Sequence, residues 1–510
     1  MNRRGIPSVF VLAALCVSCA RNTGDAPAVP PPAPADLTVP ASARADDEFD
    51  DFGDDDEEFE DEGGFGSPPT GDPEAVEKPS AGMKAVADTI TKHIHGKTRA
   101  WDRLAYMADT FGHRLSGSRT LEQAIDWTLK TMKDDGLDNV RREKVMVPHW
   151  VRGQESLSVL TPTKRDLTVL GLGMSVGTKG TLRAELVVVD HIDDVGKMAD
   201  GALDGKILLI NQVMPPYDHD HQDAHYGGTV AARTRGAPEA AKKGAIGVLV
   251  RSVTAATLDN PHTGSLNYED DVKKIPAAAV TGEGADFLAR SAERGPVKVA
   301  LKMGAKTLPD AVSGNAIGEI RGREKPEEIV VIGGHIDSWD VGDGSSDDGA
   351  GCMMAMEAAA ILKDLGLRPK RTIRVVLFTN EENGLRGGKA YFEAHGQETH
   401  VGAIEADSGS GKPWGLGIAG EDRKQQRQIM AYAPLFEGLG AENIGPGWGG
   451  ADISPLTRAG VLSMSVRPDA SHYFDLHHSP ADTIDKIDPE HLEKNAAAMA
   501  LMAYILAERD

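Results

Sequence analysis

Cysteine is almost absent from this chain: its 510 residues contain three, Cys16, Cys19 and Cys352. Two of them fall at the extreme N-terminus, in a segment that reads as an export signal. With Cys19 lipidated, Cys352 is the only free thiol left and no intrachain disulfide can form. Cys352 lies in an apolar helical stretch and reads as buried packing. Basic residues are scarce too, 55 Lys and Arg against 78 Asp and Glu, for a net charge of −23. Thirteen of the acidic residues lie in 46–62, where no basic residue occurs, which leaves −10 for the rest. No basic face remains to bind nucleic acid. With 40% apolar and 26% charged residues, the composition is that of a soluble globular protein and excludes a membrane bundle.

The N-terminus is organised for export. Arg3 and Arg4 precede an apolar run from Val9 to Val17, followed by Ser18 and Cys19. Residues 1–19 resemble a lipoprotein-type signal that makes Cys19 the lipidated first residue. Ala20 fits sorting to a bacterial outer membrane, so the chain is expected to be exported and membrane-attached through a lipid. Residues 20–80, rich in Pro and Ala and then acidic, cannot build a core and read as a disordered tether. The acidic run lacks the glycine-turn spacing of a calcium loop.

From about Ala81 apolar residues recur at three and four, giving three helices with Ser118, Thr120 and Gln123 at the start of the third. At about 155 the pattern turns to strands, and 155–306 reads as a β-rich module inserted between 81–154 and 307–510. GLGMSVG (171–177) has the wrong spacing for a dinucleotide loop and leads into another strand. DHDHQDAH (218–225) lacks a partner at fixed spacing and reads as a solvated loop. Beyond 307, strands alternate with helices, including one from about Arg423 to Leu439 and a last one capped by Asp488 with Pro489 as its first residue. The fold class is α/β, a mostly parallel sheet flanked by helices.

The chemistry concentrates at strand ends. GGHIDSWDVGDGSSDDGAG (333–351) follows an apolar strand and precedes an apolar helix, which puts His335, Asp337 and Asp347 where open α/β sheets place their sites. TIRVVLFT runs into Glu381 and Glu382, and GAIEAD ends in Asp407. HYFDLHHSPADT (472–483) adds His477, His478 and Asp482. Helix capping accounts for Ser346 and the acids beside it, but not for a His and carboxylates converging at several strand ends. The set suffices for two metal ions sharing a carboxylate, and adjacent Glu381 and Glu382 can divide proton transfer from metal binding.

These runs, with KDLGLRPKRTIRVVLFTNEENG, EADSG, YGGTVAARTRGAPEAAKKGA and LKMGAKTLPD, resemble the zinc exopeptidases of the aminopeptidase Y class over roughly residues 85–505. The resemblance implies a zinc exopeptidase (phosphorylase/hydrolase-like) fold whose insert is a protease-associated-type domain. It implies two zinc ions, with Asp347 bridging, His335 and Asp407 completing one site and Glu382 and His478 the other. Glu381 matches the general base, and Asp337 the acid that hydrogen-bonds the ligand His and fixes its tautomer. His478, four residues before Asp482, matches the ligand position. His477 and Tyr473 are expected near the substrate or oxyanion. GWGGAD (447–452) matches a pocket-lining loop, which makes Asp452 a substrate-contact candidate, although Asp452 could equally cap a helix. The expected activity is hydrolysis of dipeptides or short peptides with a free N-terminus, by a chain that pairs as a homodimer. The alternatives are an inactive surface binding protein on the same fold and a hydrolase of a non-peptide amide.

Overall fold

The structure, a computed structural model, describes residues 78–94, 99–420 and 422–509. The signal, Cys19 and nearly all of the tether lie outside the described residues. Two eight-stranded sheets carry the architecture. Across the first, the strands run in the order Asp138–Val151, Lys306–Ile320, Arg371–Phe378, Lys325–His335, Thr399–Glu405, Ser463–Pro468, Pro413–Ile418 and Asn443–Pro446.

The middle of this sheet is parallel. Lys325–His335 pairs in parallel with Arg371–Phe378 on one side and Thr399–Glu405 on the other, and Ser463–Pro468 extends the run. Every residue of Arg371–Phe378 is buried, as expected of a strand covered on both faces. The edges depart from the expected parallel order. Asp138–Val151 with Lys306–Ile320, Lys306–Ile320 with Arg371–Phe378, and Pro413–Ile418 with Ser463–Pro468 all pair antiparallel. The sheet is therefore mixed.

Two helices, Ala350–Asp364 and Pro489–Glu508, pack together on one face of this sheet and are buried almost all round. Uniformly apolar helices are the kind that sit inside a core rather than on its surface. Asp488 caps the second by accepting from the N–H groups of Glu490 and His491. Ser118 likewise caps Arg119–Asp134 through Leu121 N–H. The helix expected over 423–439 is shorter: it ends at Met430 and gives way to two single turns, Ala433–Leu435 and Glu437–Leu439. Pro434 is the physical reason, since it has no N–H for the helical ladder and its ring crowds the preceding turn.

The chain leaves the first sheet after Val151 and returns at Lys306, and these two residues are cross-strand partners. The strands between them form the second sheet. Leu182–Val189, Ile207–Ile210, Gly247–Arg251 and Ala277–Val280 run parallel, with Gly236–Lys242 and Gly282–Arg294 packed as helices around them.

Candidate metal centre

Register places the candidate residues level with one another. His335 is the last residue of its strand and lies opposite Phe378, while Gly333 lies opposite Glu405. Glu381 and Glu382 follow Phe378 by three and four positions and Asp407 follows Glu405 by two, so all emerge at one sheet edge. Asp347 enters from the turn before the Ala350–Asp364 helix. The next residue, Asp348, ties that turn to the sheet by accepting from His335 N–H at 2.9 Å and Gly351 N–H at 3.0 Å. The approach is so close that a Cβ on Gly351 would collide with the carbonyl of Ala406.

Asp347 stands in the middle. His335 Nε2 lies 3.2 Å from its Oδ1 and 3.5 Å from Asp407 Oδ1. On the other side His478 Nε2 lies 3.2 Å from Asp347 Oδ2 and 3.0 Å from Glu382 Oε2. His477 Nε2 is 3.7 Å from the same Oδ2 and meets no other carboxylate at such range among the described residues. Proximity to Asp347 alone therefore does not separate the two histidines, whereas the contact to Glu382 does. Glu381 Oε2 is 4.0 Å from His335 Nε2. Its side chain is 21% exposed, against 1% for Glu382. Of these adjacent acids one is open to a substrate and the other is sealed among its neighbours.

The electrostatics call for cations. Burial and then the charges of Asp407, Asp337 and Asp347 push the Glu381 carboxyl well above the usual range, against the pull of His335. Burial and Asp347 do the same to Glu382. Burial opposes charge on His335, yet Asp407, Asp347 and Glu381 hold its pKa well above normal. Burial lowers His478 to about 4. Asp347 Oδ2 is buried without a hydrogen bond. Imidazoles and mutually repelling carboxylates, close together and partly unsatisfied, suit a transition metal of zinc's type. The candidate ligand groups overlap, His335–Asp347–Glu382 and Asp347–His477–His478 sharing Asp347.

A sequence profile for peptidase family M28 matches residues 315–503. Carboxypeptidase Q of Mus musculus is 42% identical over 429 residues, which is 82% of this chain and 88% of that protein. Carboxypeptidase Q of Homo sapiens is 40% identical with the same coverage. The chain belongs to peptidase family M28. It is a metallopeptidase. The crystal structure of an M28 peptidase precursor from Shewanella amazonensis matches with a TM-score of 0.80 at 37% identity, covering 84% of this chain and 97% of that one. A zinc aminopeptidase from Bacillus subtilis shares the fold, with a TM-score of 0.60, 20% identity, and coverage of 82% and 95%.

Within this M28 site, Asp337 differs from its expected geometry. The His335 ring nitrogen Nδ1 lies 3.1 Å from the main-chain carbonyl of Asp337, not from its carboxylate, which is 3.8 Å away. That carboxylate instead accepts from Glu381 N–H at 3.0 Å and Ser116 Oγ at 3.2 Å. The residue thus orients His335 through its backbone and Glu381 through its side chain. The Tyr473 ring lies 5.2 Å from that of His477.

Asp452 is 2% exposed and does not cap the Ser454–Arg458 helix. Both of its carboxylate oxygens are buried without hydrogen bonds. Burial and the charges of Glu405 and Glu381 hold its carboxyl protonated well above the usual range. The loop 218–225 pairs internally, His221 with Asp218 at 2.8 Å and His225 with Asp223 at 3.1 Å. Cys352 is buried and donates to the carbonyl of His335 at 3.1 Å.

Arg114, and the part that Asp482 plays, escaped the sequence reading. Buried Arg114 donates to the carbonyls of Gly112, Ile336, Asp343 and Gly344 at 2.7–2.9 Å, stapling both ends of the loop after His335. Asp482 accepts from the N–H groups of Ser346 and Asp347. Its fixed place four residues after His478 was the available signal. Arg114 offered none, because its partners lie more than 220 residues away in all but one case.

Proposed function

We propose that this chain is a di-zinc exopeptidase that hydrolyses dipeptides or short peptides with a free N-terminus, and that its second sheet is a protease-associated-type insert. The observation that carries this reading is Asp347, placed between a His335–Asp407 pair and a His478–Glu382 pair. His335 and Asp407 would hold one zinc ion, Glu382 and His478 the other, and Asp347 both. When bound, zinc supplies Lewis-acid polarisation of a carbonyl and raises the acidity of water.

The chain's own residues account for the proton movements. The more exposed carboxylate of Glu381 takes a proton from the attacking water as the water oxygen bonds to the scissile carbonyl carbon. The same carboxyl gives that proton to the leaving nitrogen as the C–N bond breaks, so products are a carboxylic acid and a free amine. Asp337 holds the Glu381 backbone in place. His477, beside Asp347, is positioned to donate to the carbonyl oxygen as negative charge develops there.

The test is hydrolysis of unblocked dipeptides and of amino-blocked copies by the purified chain, with chelation and zinc restoration. Cleavage of the unblocked set alone, abolished by chelation and restored by zinc, is expected. A protein that retains two zinc ions yet cleaves neither set would contradict the peptidase reading and point to another amide.

A further inference from the structure

The second sheet's part of the chain reaches His478 from the loop that carries Thr263 and from one short helix. Gly227–Thr234 follows directly on Tyr226 and carries Arg233 in its last turn. Arg233 is 6% exposed, and no carboxylate pairs with it among the described residues. Its Nη2 donates to the Tyr226 hydroxyl at 2.6 Å. Its Nη1 lies 3.4 Å from Nδ1 of the ligand His478 and 3.5 Å from the carbonyl of Thr263, and its Nε is buried without a partner. Gly264, at φ +134°, closes over the guanidinium so tightly that a Cβ there would overlap it. A charge buried without a counter-ion costs several kcal/mol. This one is held rigidly beside the reaction centre and invites an anion.

Tyr226 is where such an anion would be met. The tyrosine is only half-buried, and its oxygen already accepts from Arg233, so the hydroxyl proton is left to donate elsewhere. The ring stacks on Phe474 with centroids 4.6 Å apart and meets the His477 ring edge-on at 5.4 Å. Burial above all raises the phenol's pKa, Arg233 opposes this, and the charges of Asp347 and Glu381 raise it further. The group is therefore a protonated donor facing the metal site.

We propose that Tyr226 and Arg233 form the subsite for the free C-terminal carboxylate of a dipeptide substrate. The Tyr226 hydroxyl donates to a carboxylate oxygen, and Arg233 supplies the positive charge behind it. The inference rests on the peptidase reading and sets the substrate length which that reading leaves open. A carboxylate anchored beside a metal ligand selects substrates whose C-terminus lies close to the scissile bond.

The experiment compares kcat/KM for an unblocked dipeptide and for the same dipeptide as its C-terminal amide, in the wild type, Tyr226→Phe and Arg233→Lys. Charge-assisted hydrogen bonds are worth enough for the wild type to prefer the free acid by about 10- to 100-fold. In Tyr226→Phe, which removes one oxygen and leaves the ring packing intact, that ratio collapses toward one through a rise in KM for the free acid. Arg233→Lys keeps the charge, loses the fixed fork, and gives an intermediate ratio. A Tyr226→Phe enzyme that retains the wild-type ratio, or loses both substrates equally, overturns the subsite. A wild type that cleaves neither substrate overturns the peptidase reading instead.

Discussion

Asp482 accepts hydrogen bonds from the N–H groups of Ser346 and Asp347, at 2.6 and 3.1 Å, and so holds Asp347 between His335 and His478. One loop thereby contributes a candidate ligand, His478, and the clamp on another. Groups that orient metal ligands typically account for 10- to 100-fold in affinity. Asp482→Ala should weaken zinc binding by about that factor, read by competition with a chromophoric chelator. Unchanged affinity would show that Asp347 is placed without this clamp.

Arg114 makes a prediction about stability. It is fully buried and satisfies carbonyls on both sides of the loop after His335. Arg114→Met leaves those acceptors buried and unpaired, at about 1–3 kcal/mol each where no water replaces the donor. The urea midpoint should fall by the equivalent of about 3 kcal/mol or more, with the slope unchanged. A shift below about 1 kcal/mol would mean that water takes over the role.

The metal-free protein should have an unusual pH profile. Burial and the Asp407 charge raise Glu405 to about 8, and burial and the Asp347 charge raise Asp482 to about 8. A carboxyl with a raised folded-state pKa keeps its proton in the fold and loses it on unfolding, so folding is favoured below that pKa and disfavoured as pH rises through it. His262 and His478, lowered to about 4 chiefly by burial, act the opposite way, but only up to about pH 6.5. Between pH 6.5 and 8 the raised carboxyls and His335, itself held well above its ordinary value by Asp407 and Asp347, act in the same direction, so the Tm of chelator-treated protein should fall over that interval. Zinc should remove the fall by neutralising the cluster. A Tm that rises with pH in the apo form would contradict this balance.

The proposal that a lipid on Cys19 anchors the chain is tested by substitution. Cys19→Ser should shift the protein from the membrane fraction to the soluble fraction without changing peptidase activity. Retention in the membrane fraction would exclude lipidation as the means of attachment.

The residue types at strand ends made the centre legible. His335, Glu382 and Asp407 follow apolar strands whose parallel register brings their ends level. What stayed hidden depends on approach from afar or on which atom of a residue points where. Arg233 and Thr263 reach His478, and Tyr226 reaches the His477 ring, from more than 200 residues earlier in the chain. Position 337 was legible, whereas the division between its carbonyl and its carboxylate is set by the turn the chain makes there. The break after Met430 was written in Pro434 and overridden by the apolar periodicity around it.

The most direct test of the account is metal content and turnover of Glu381→Gln measured on one preparation. Glu381 is more exposed than the adjacent candidate ligand Glu382. The variant should therefore keep two zinc ions per chain while kcat falls by about 10²- to 10⁴-fold, the usual contribution of a general base. Near-normal turnover with full zinc, or loss of zinc together with activity, would contradict the division of labour between Glu381 and Glu382 on which the mechanism stands.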